Sequence, residues 1–112
     1  LKCRVVGVFG NNDGERIGVA KRLEAVGDIH PNLASVEVGG RKIAAMHYPE
    51  LAEPIATSGE YDIVIYGHTH EVDVRKEESL ILNPGETGGW TTGKCTVAIV
   101  DLETLEAEIR EL

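Results

Sequence analysis

Three stretches of this chain place metal-ligating side chain types at the same kind of position, directly behind a short apolar run. Gly10-Asn11-Asn12-Asp13 follows Val5 to Phe9, His47 follows Ile43 to Met46, and Gly67-His68-Thr69-His70 follows Ile63 to Tyr66. A fourth stretch, Asn83-Pro84-Gly85-Glu86, follows Leu80 to Leu82. Imidazole nitrogens suit Zn, Mn, Fe or Ni, and amide or carboxylate oxygens complete such sites. Asn11, His47 and His68 therefore form a candidate three-donor metal site with room for water, and His70 would face a second metal. Each stretch also has a plainer reading. Asn-Asn-Asp-Gly is ordinary turn chemistry, a single His at a strand end is often only hydrogen-bonded, and Pro-Gly marks a turn that would at most shape a wall. The histidine pair is the stronger signal. On a regular strand His68 and His70 would point to one face, whereas on a loop after Gly67 they can splay.

The elements that must position these groups are legible as patterns. Val5 to Phe9 and Ile63 to Tyr66 are short, fully apolar and β-branched, as buried strands are. Glu15 to Val26 carries Val19, Leu23 and Val26 on one helical face, with Gly27 as a C-terminal stop. Ser35 to Val38 and Lys42 to Met46 flank Gly39-Gly40, a hairpin signal. Pro54 fits the first turn of a short helix over Glu53 to Ser58. Glu71 to Arg75 and Leu80 to Leu82 read as another strand pair. Thr96 to Val100 is apolar, and Leu105, Ala107 and Ile109 alternate with charged residues, giving a strand with one wet face. The order β-α-β-β-α-β followed by further strands predicts an α/β sandwich of mixed sheets. Ligands in such folds gather at the carboxyl ends of strands.

Composition narrows the partners. The 112 residues are 42% apolar, enough for a core, and with one Trp, one Phe and three Tyr that core is mostly aliphatic. Eleven basic against 19 acidic residues leave a net charge of −8. No basic run exceeds Lys21-Arg22, so neither duplex nucleic acid nor an anionic membrane surface is an expected partner. An acidic protein still binds phosphate where a metal supplies local positive charge. Cys3 and Cys95 lie in no CxxC pattern and read as two buried thiols in a reducing compartment. No apolar run is long enough for a membrane helix and no signal peptide is visible, so the expected location is cytoplasmic. His30, in a polar stretch before Pro31, reads as a surface residue.

Gly-Asn-Asn-Asp, a strand-end His, Tyr-Gly-His-Thr-His and Leu-Asn-Pro-Gly-Glu, in this order, resemble the calcineurin-like metallophosphoesterases. The likeness is to their small bacterial and archaeal phosphodiesterases, a type that shares its fold with a retromer subunit, and it runs from Val5 to about Ile109. The resemblance implies that Asn11, His47 and His68 bind one metal and His70 the other. It implies Mn, Fe, Zn or Ni as the ions, a phosphate ester as substrate and a metal-activated water as nucleophile. Asn12 and Asp13 would position the phosphate or cap the next helix, and relatives commonly carry His where this chain has Asn12. Tyr48-Pro49 stands where relatives commonly have Gly, which narrows that loop. The family opens with an Asp-x-His strand and a Gly-Asp strand that supply a bridging carboxylate, whereas the first apolar run of this sequence, Val5 to Phe9, leads into Gly-Asn-Asn-Asp and corresponds to a middle strand of the family. On that basis residues 1–112 are expected to be the C-terminal portion of a single metallophosphoesterase-like domain lacking the N-terminal strands. Such a chain is expected to be inactive or weakly active unless a missing segment or a dimer mate completes it. The competing expectation is a non-catalytic protein-interaction module on the same fold.

Overall fold

The computed structural model describes residues 3–11 and 27–112. The expected helix over Glu15 to Val26, together with Asn12 and Asp13, lies outside the described residues. Nine strands are described: β1 (Val5–Val8), β2 (Gly27–His30), β3 (Leu33–Val38), β4 (Arg41–Met46), β5 (Ile63–Ile65), β6 (Val72–Lys76), β7 (Leu80–Pro84), β8 (Thr96–Asp101) and β9 (Glu106–Glu111). A 3-10 turn (Pro49–Leu51) leads into the short helix α1 (Ala52–Thr57) between β4 and β5.

The central sheet has the order β3-β4-β5-β7-β6. Its middle three strands run parallel, pairing Ala44 with Val64 and Val64 with Ile81. Parallel strands covered on both faces need unbroken apolar runs, and Ile63, Val64, Ile81 and Leu82 are all almost wholly buried. The outer strands β3 and β6 join antiparallel, which makes the sheet mixed. The β3–β4 turn is the expected Gly39-Gly40 hairpin, both glycines at positive φ.

Helix α1 covers the sheet through Ala52 and Ala56, four residues apart, which pack with Ala44, Met46, Val64 and Ile81. Small residues at this spacing let the helix approach closely. Pro54 sits in the first turn, where its missing N–H has no helical partner to lose. The antiparallel pair β8–β9 carries the expected alternation, with Ala107 and Ile109 turned inward between exposed Glu106, Glu108 and Arg110. It docks on the main sheet where Thr96 donates from its hydroxyl to the Pro84 carbonyl at 2.8 Å and from its amide to the Glu86 carbonyl at 2.9 Å.

Three expectations need correction. Gly27, expected as a helix stop, opens β2, which pairs parallel with β1 from Val5↔Gly27 to Val8↔His30. A Cβ at Gly27 would lie 1.5 Å from the Val5 carbonyl oxygen, so the close strand approach itself demands glycine there. His30 is half-buried on that strand, not on a surface loop, and its carbonyl accepts from the Phe9 amide at 3.0 Å. Cys3 is exposed and Cys95 half-buried, and both are free thiols. Cys3 precedes β1 in an exposed segment, and Cys95 packs beside Gly89 at the start of β8. Among the described residues no helix is long and apolar enough to cross a membrane.

Candidate metal centre

Strands β4, β5 and β7 are parallel neighbours, so their carboxyl ends open on one edge of the sheet. His47 directly follows β4, the Gly67-His68-Thr69-His70 loop follows β5, and Gly85-Glu86 follows β7. The pair β1–β2 packs beside β3 and β4 and brings Asn11 to the same edge.

There three donor atoms face one another. His47 Nε2 lies 2.5 Å from Asn11 Oδ1 and 3.1 Å from His68 Nδ1, and the last two are 3.3 Å apart. Two ligands about 2.1 Å from a common ion, at ordinary coordination angles, lie roughly 3.0 to 3.4 Å apart. The triangle thus has nearly the dimensions of one face of a metal's coordination shell, with one edge shorter. Among the described residues no three His, Cys, Asp or Glu side chains gather; this centre reaches three donors only because the third is an amide oxygen. All three donors are neutral, so a bound cation would keep most of its charge for an anionic ligand.

The histidine loop splays. His68 and His70 both adopt left-handed backbone, at φ 69° and 64°, a conformation costing a β-carbon-bearing residue about 1–2 kcal/mol. This turns His68 toward Asn11 and His47, and His70 the other way. The loop is held by Asn83, which is fully buried. Its side-chain amide donates to Thr69 Oγ1 at 3.0 Å and to the Gly67 carbonyl at 3.4 Å, and its oxygen accepts from the Gly85 amide at 3.0 Å. The Gly67 amide is fixed in turn on the His47 carbonyl at 3.0 Å. Buried polar groups satisfied this fully rigidify a site.

His70 Nδ1 meets Glu86 Oε2 at 2.5 Å. The second oxygen of Glu86 accepts from the Thr91 and Thr92 amides at 2.6 and 3.1 Å. Burial works to raise the Glu86 carboxyl, but His70 and these two amides together hold it below the usual carboxylate range. An imidazole fixed through one nitrogen presents the other in a defined direction. The stretch Asn83 to Glu86 is therefore more than a Pro-Gly turn. It is also that turn: Gly85 is at φ +82, and a Cβ there would strike Thr96 Oγ1 at 2.3 Å.

Tyr48 covers the triangle from one side. Its ring lies 4.9 Å from that of His47, edge-on, and 4.9 Å from that of His68. Next to it is a cleft of about 120 Å³ lined by Phe9, Gly10, Asn32, His47, Tyr48 and Leu51. A larger depression of about 540 Å³ on β8–β9 is lined by Ile99, Asp101, Thr104, Glu106 and Glu108 among others and contains no imidazole.

A family model described as the calcineurin-like phosphoesterase superfamily domain matches residues 1–105, and this chain belongs to that superfamily. A phosphodiesterase of Methanocaldococcus jannaschii is 38% identical over 117 residues, covering 100% of this chain and 69% of that protein. The structure of an archaeal phosphodiesterase superposes with a TM-score of 0.92 at 36% identity, covering 100% of this chain and 71% of that one. The structure of Vps29 of Chaetomium thermophilum shares the fold, with a TM-score of 0.61 at 14% identity over 98% of this chain and 80% of its own. The mixed α/β architecture is the metallophosphoesterase fold, and the relatives support a phosphoesterase function. The family generally uses divalent metals.

Proposed function

We propose that this chain hydrolyses phosphodiesters with a divalent ion held by Asn11 Oδ1, His47 Nε2 and His68 Nδ1, and with His70 serving a second ion. The observation that carries the reading is the triangle of 2.5, 3.1 and 3.3 Å among those atoms. When bound, divalent ions supply Lewis acidity toward the phosphate and make water acidic enough to attack near neutral pH. The chain's own groups do the rest. Three neutral donors leave the ion's charge uncancelled, which draws an anionic ester to an otherwise acidic protein. Glu86 fixes the orientation of His70. Asn83 holds the strained loop that sends the two histidines to different places. Tyr48 shields one side of the triangle from water. Mn, Fe, Zn and Ni all suit two imidazoles and an amide oxygen. Asn12 and Asp13, next in sequence to a proposed ligand, are proposed to position the phosphate.

The proposed donor set holds no carboxylate shared between two ions. This chain by itself is therefore expected to turn over slowly, and a carboxylate from a further segment or a second copy would raise its rate. The test is metal content together with hydrolysis of bis-p-nitrophenyl phosphate, with Mn added, beside a His68→Ala variant. Bound metal and slow hydrolysis, both lost on substitution, are expected. A chain that binds no metal and hydrolyses nothing overturns the reading, and metal binding with no hydrolysis leaves a non-catalytic module on this fold.

A further inference from the structure

Trp90 is the single tryptophan of the chain and is 94% exposed. A residue of this type usually buries a large apolar area, so an indole left in solvent calls for a reason. Its backbone is firmly held. The amides of the next two residues, Thr91 and Thr92, donate to Glu86 Oε1, and the other oxygen of that carboxylate meets His70. A single carboxylate therefore ties the turn bearing Trp90 to a proposed metal ligand. The turn closes through the Gly93 amide on the Gly89 carbonyl at 3.1 Å. Gly89 takes φ +65, where a Cβ would also lie 2.8 Å from Cys95 Sγ. A Cβ at Gly88 would lie 2.7 Å from Trp90 Cδ1, so the indole packs across a position kept free of side chain. The result is a solvent-facing aromatic ring on a turn anchored through Glu86 to the histidine loop.

We propose that Trp90 is a specificity-determining residue: its indole stacks on a flat aromatic group of the phosphate ester, a nucleobase or an aryl alcohol, while the phosphate lies at the histidines. The proposal rests on the phosphoesterase reading. An exposed indole fits this role because every aromatic ring offers a face to stack on, and loss of one such platform weakens binding by about tenfold or more. The flanking glycines and the Glu86 clamp reduce the ordering needed when the ring is engaged.

The lone tryptophan supplies its own readout. The 112-residue chain with Zn2+ is titrated with adenosine monophosphate, phenyl phosphate and inorganic phosphate while indole fluorescence is followed. Hydrolysis of bis-p-nitrophenyl phosphate is measured on the same preparation. Saturable quenching by one or both aromatic phosphates, and none by inorganic phosphate, is expected; the better quencher distinguishes nucleobase from aryl. Trp90→Ala is expected to raise KM for bis-p-nitrophenyl phosphate about tenfold with kcat little changed, and Trp90→Phe to restore most of it. Hydrolysis without aromatic-specific quenching overturns the role of Trp90 alone. Quenching without hydrolysis supports stacking and overturns the phosphoesterase reading, and absence of both overturns both. Quenching that grows with protein concentration in the absence of ligand assigns the indole to a contact between copies and overturns the proposal.

Discussion

The two halves of the histidine loop are built on different principles. His68 joins Asn11 and His47, three neutral donors delivered by three separate strand ends, with Asn11 and His68 exposed. His70 meets the largely buried Glu86, whose second oxygen accepts from two backbone amides. The first arrangement gathers three nitrogen and oxygen atoms around a shared point, where the proposed cation would sit. The second aims one side chain and is complete as it stands. Histidines two apart are thus supported differently: His68 by donors that would share its ion, His70 by a carboxylate that sets its aim.

The largest effect is expected at His68. His68→Ala should weaken binding of the first ion by at least about a hundredfold, measured by competition against a chelating dye, because it removes a direct ligand and second-shell losses alone reach that size. His68→Gly sharpens the point. It should bind as poorly as the Ala variant yet be about 1 kcal/mol more stable than it in urea denaturation, because glycine alone relieves the φ of 69°. Equal stability of the two would show that the left-handed backbone stores no strain. Asn83→Ala comes next, with an expected loss of about 2 kcal/mol, since it leaves the Gly85 amide without its acceptor inside the fold. Metal binding at both halves of the loop should fall with it, whereas an effect confined to stability would mean that the loop keeps its shape without the clamp.

Glu86→Gln tests the second half alone. It should lower affinity for a second ion by up to about tenfold and leave the first unchanged; isothermal titration with two resolved binding steps distinguishes this from a uniform loss. The smallest effect lies away from the site. Tyr66 donates to Asp73 Oδ2 at 2.5 Å, and burial, reinforced by that carboxylate, pushes its phenol above the ordinary 10.0. A raised folded pKa means stability complete below pH 10 and lost as pH rises through the elevated value. Tyr66→Phe should therefore be about 1 kcal/mol less stable than the parent at neutral pH, and the gap should narrow in denaturation curves above pH 10.

The core was legible in the sequence because its signals are local. Ile63 to Ile65 and Leu80 to Leu82 are unbroken apolar runs, and they became the buried parallel centre of the sheet. Gly39-Gly40 and the alternation ending at Ile109 likewise announced their strands. Strand β2 escaped because Gly27-Asp28-Ile29-His30 holds one aliphatic side chain, and its glycine answers to the Val5 backbone rather than to any neighbour in sequence. In the site, the strand-end positions of Asn11, His47 and His68 pointed to one edge, and the structure brings these three together. The pairing of His70 with Glu86 spans 16 residues and depends on where β7 ends, while the left-handed φ values leave little mark in residue type, since any residue other than glycine is uncommon there. Asn12 and Asp13 lie outside the described residues, and their expected role rests on sequence position.

The paired left-handed histidines have a consequence for anyone redesigning this chain. Asparagine or glycine suits such backbone better, so a search guided only by folding free energy would replace His68 and His70 among its first choices. It would return a sturdier protein stripped of its proposed ligands. Run in reverse, the same search becomes a detector: positions where a sequence keeps an ill-suited residue on an over-determined loop are where selection has been acting on something other than stability.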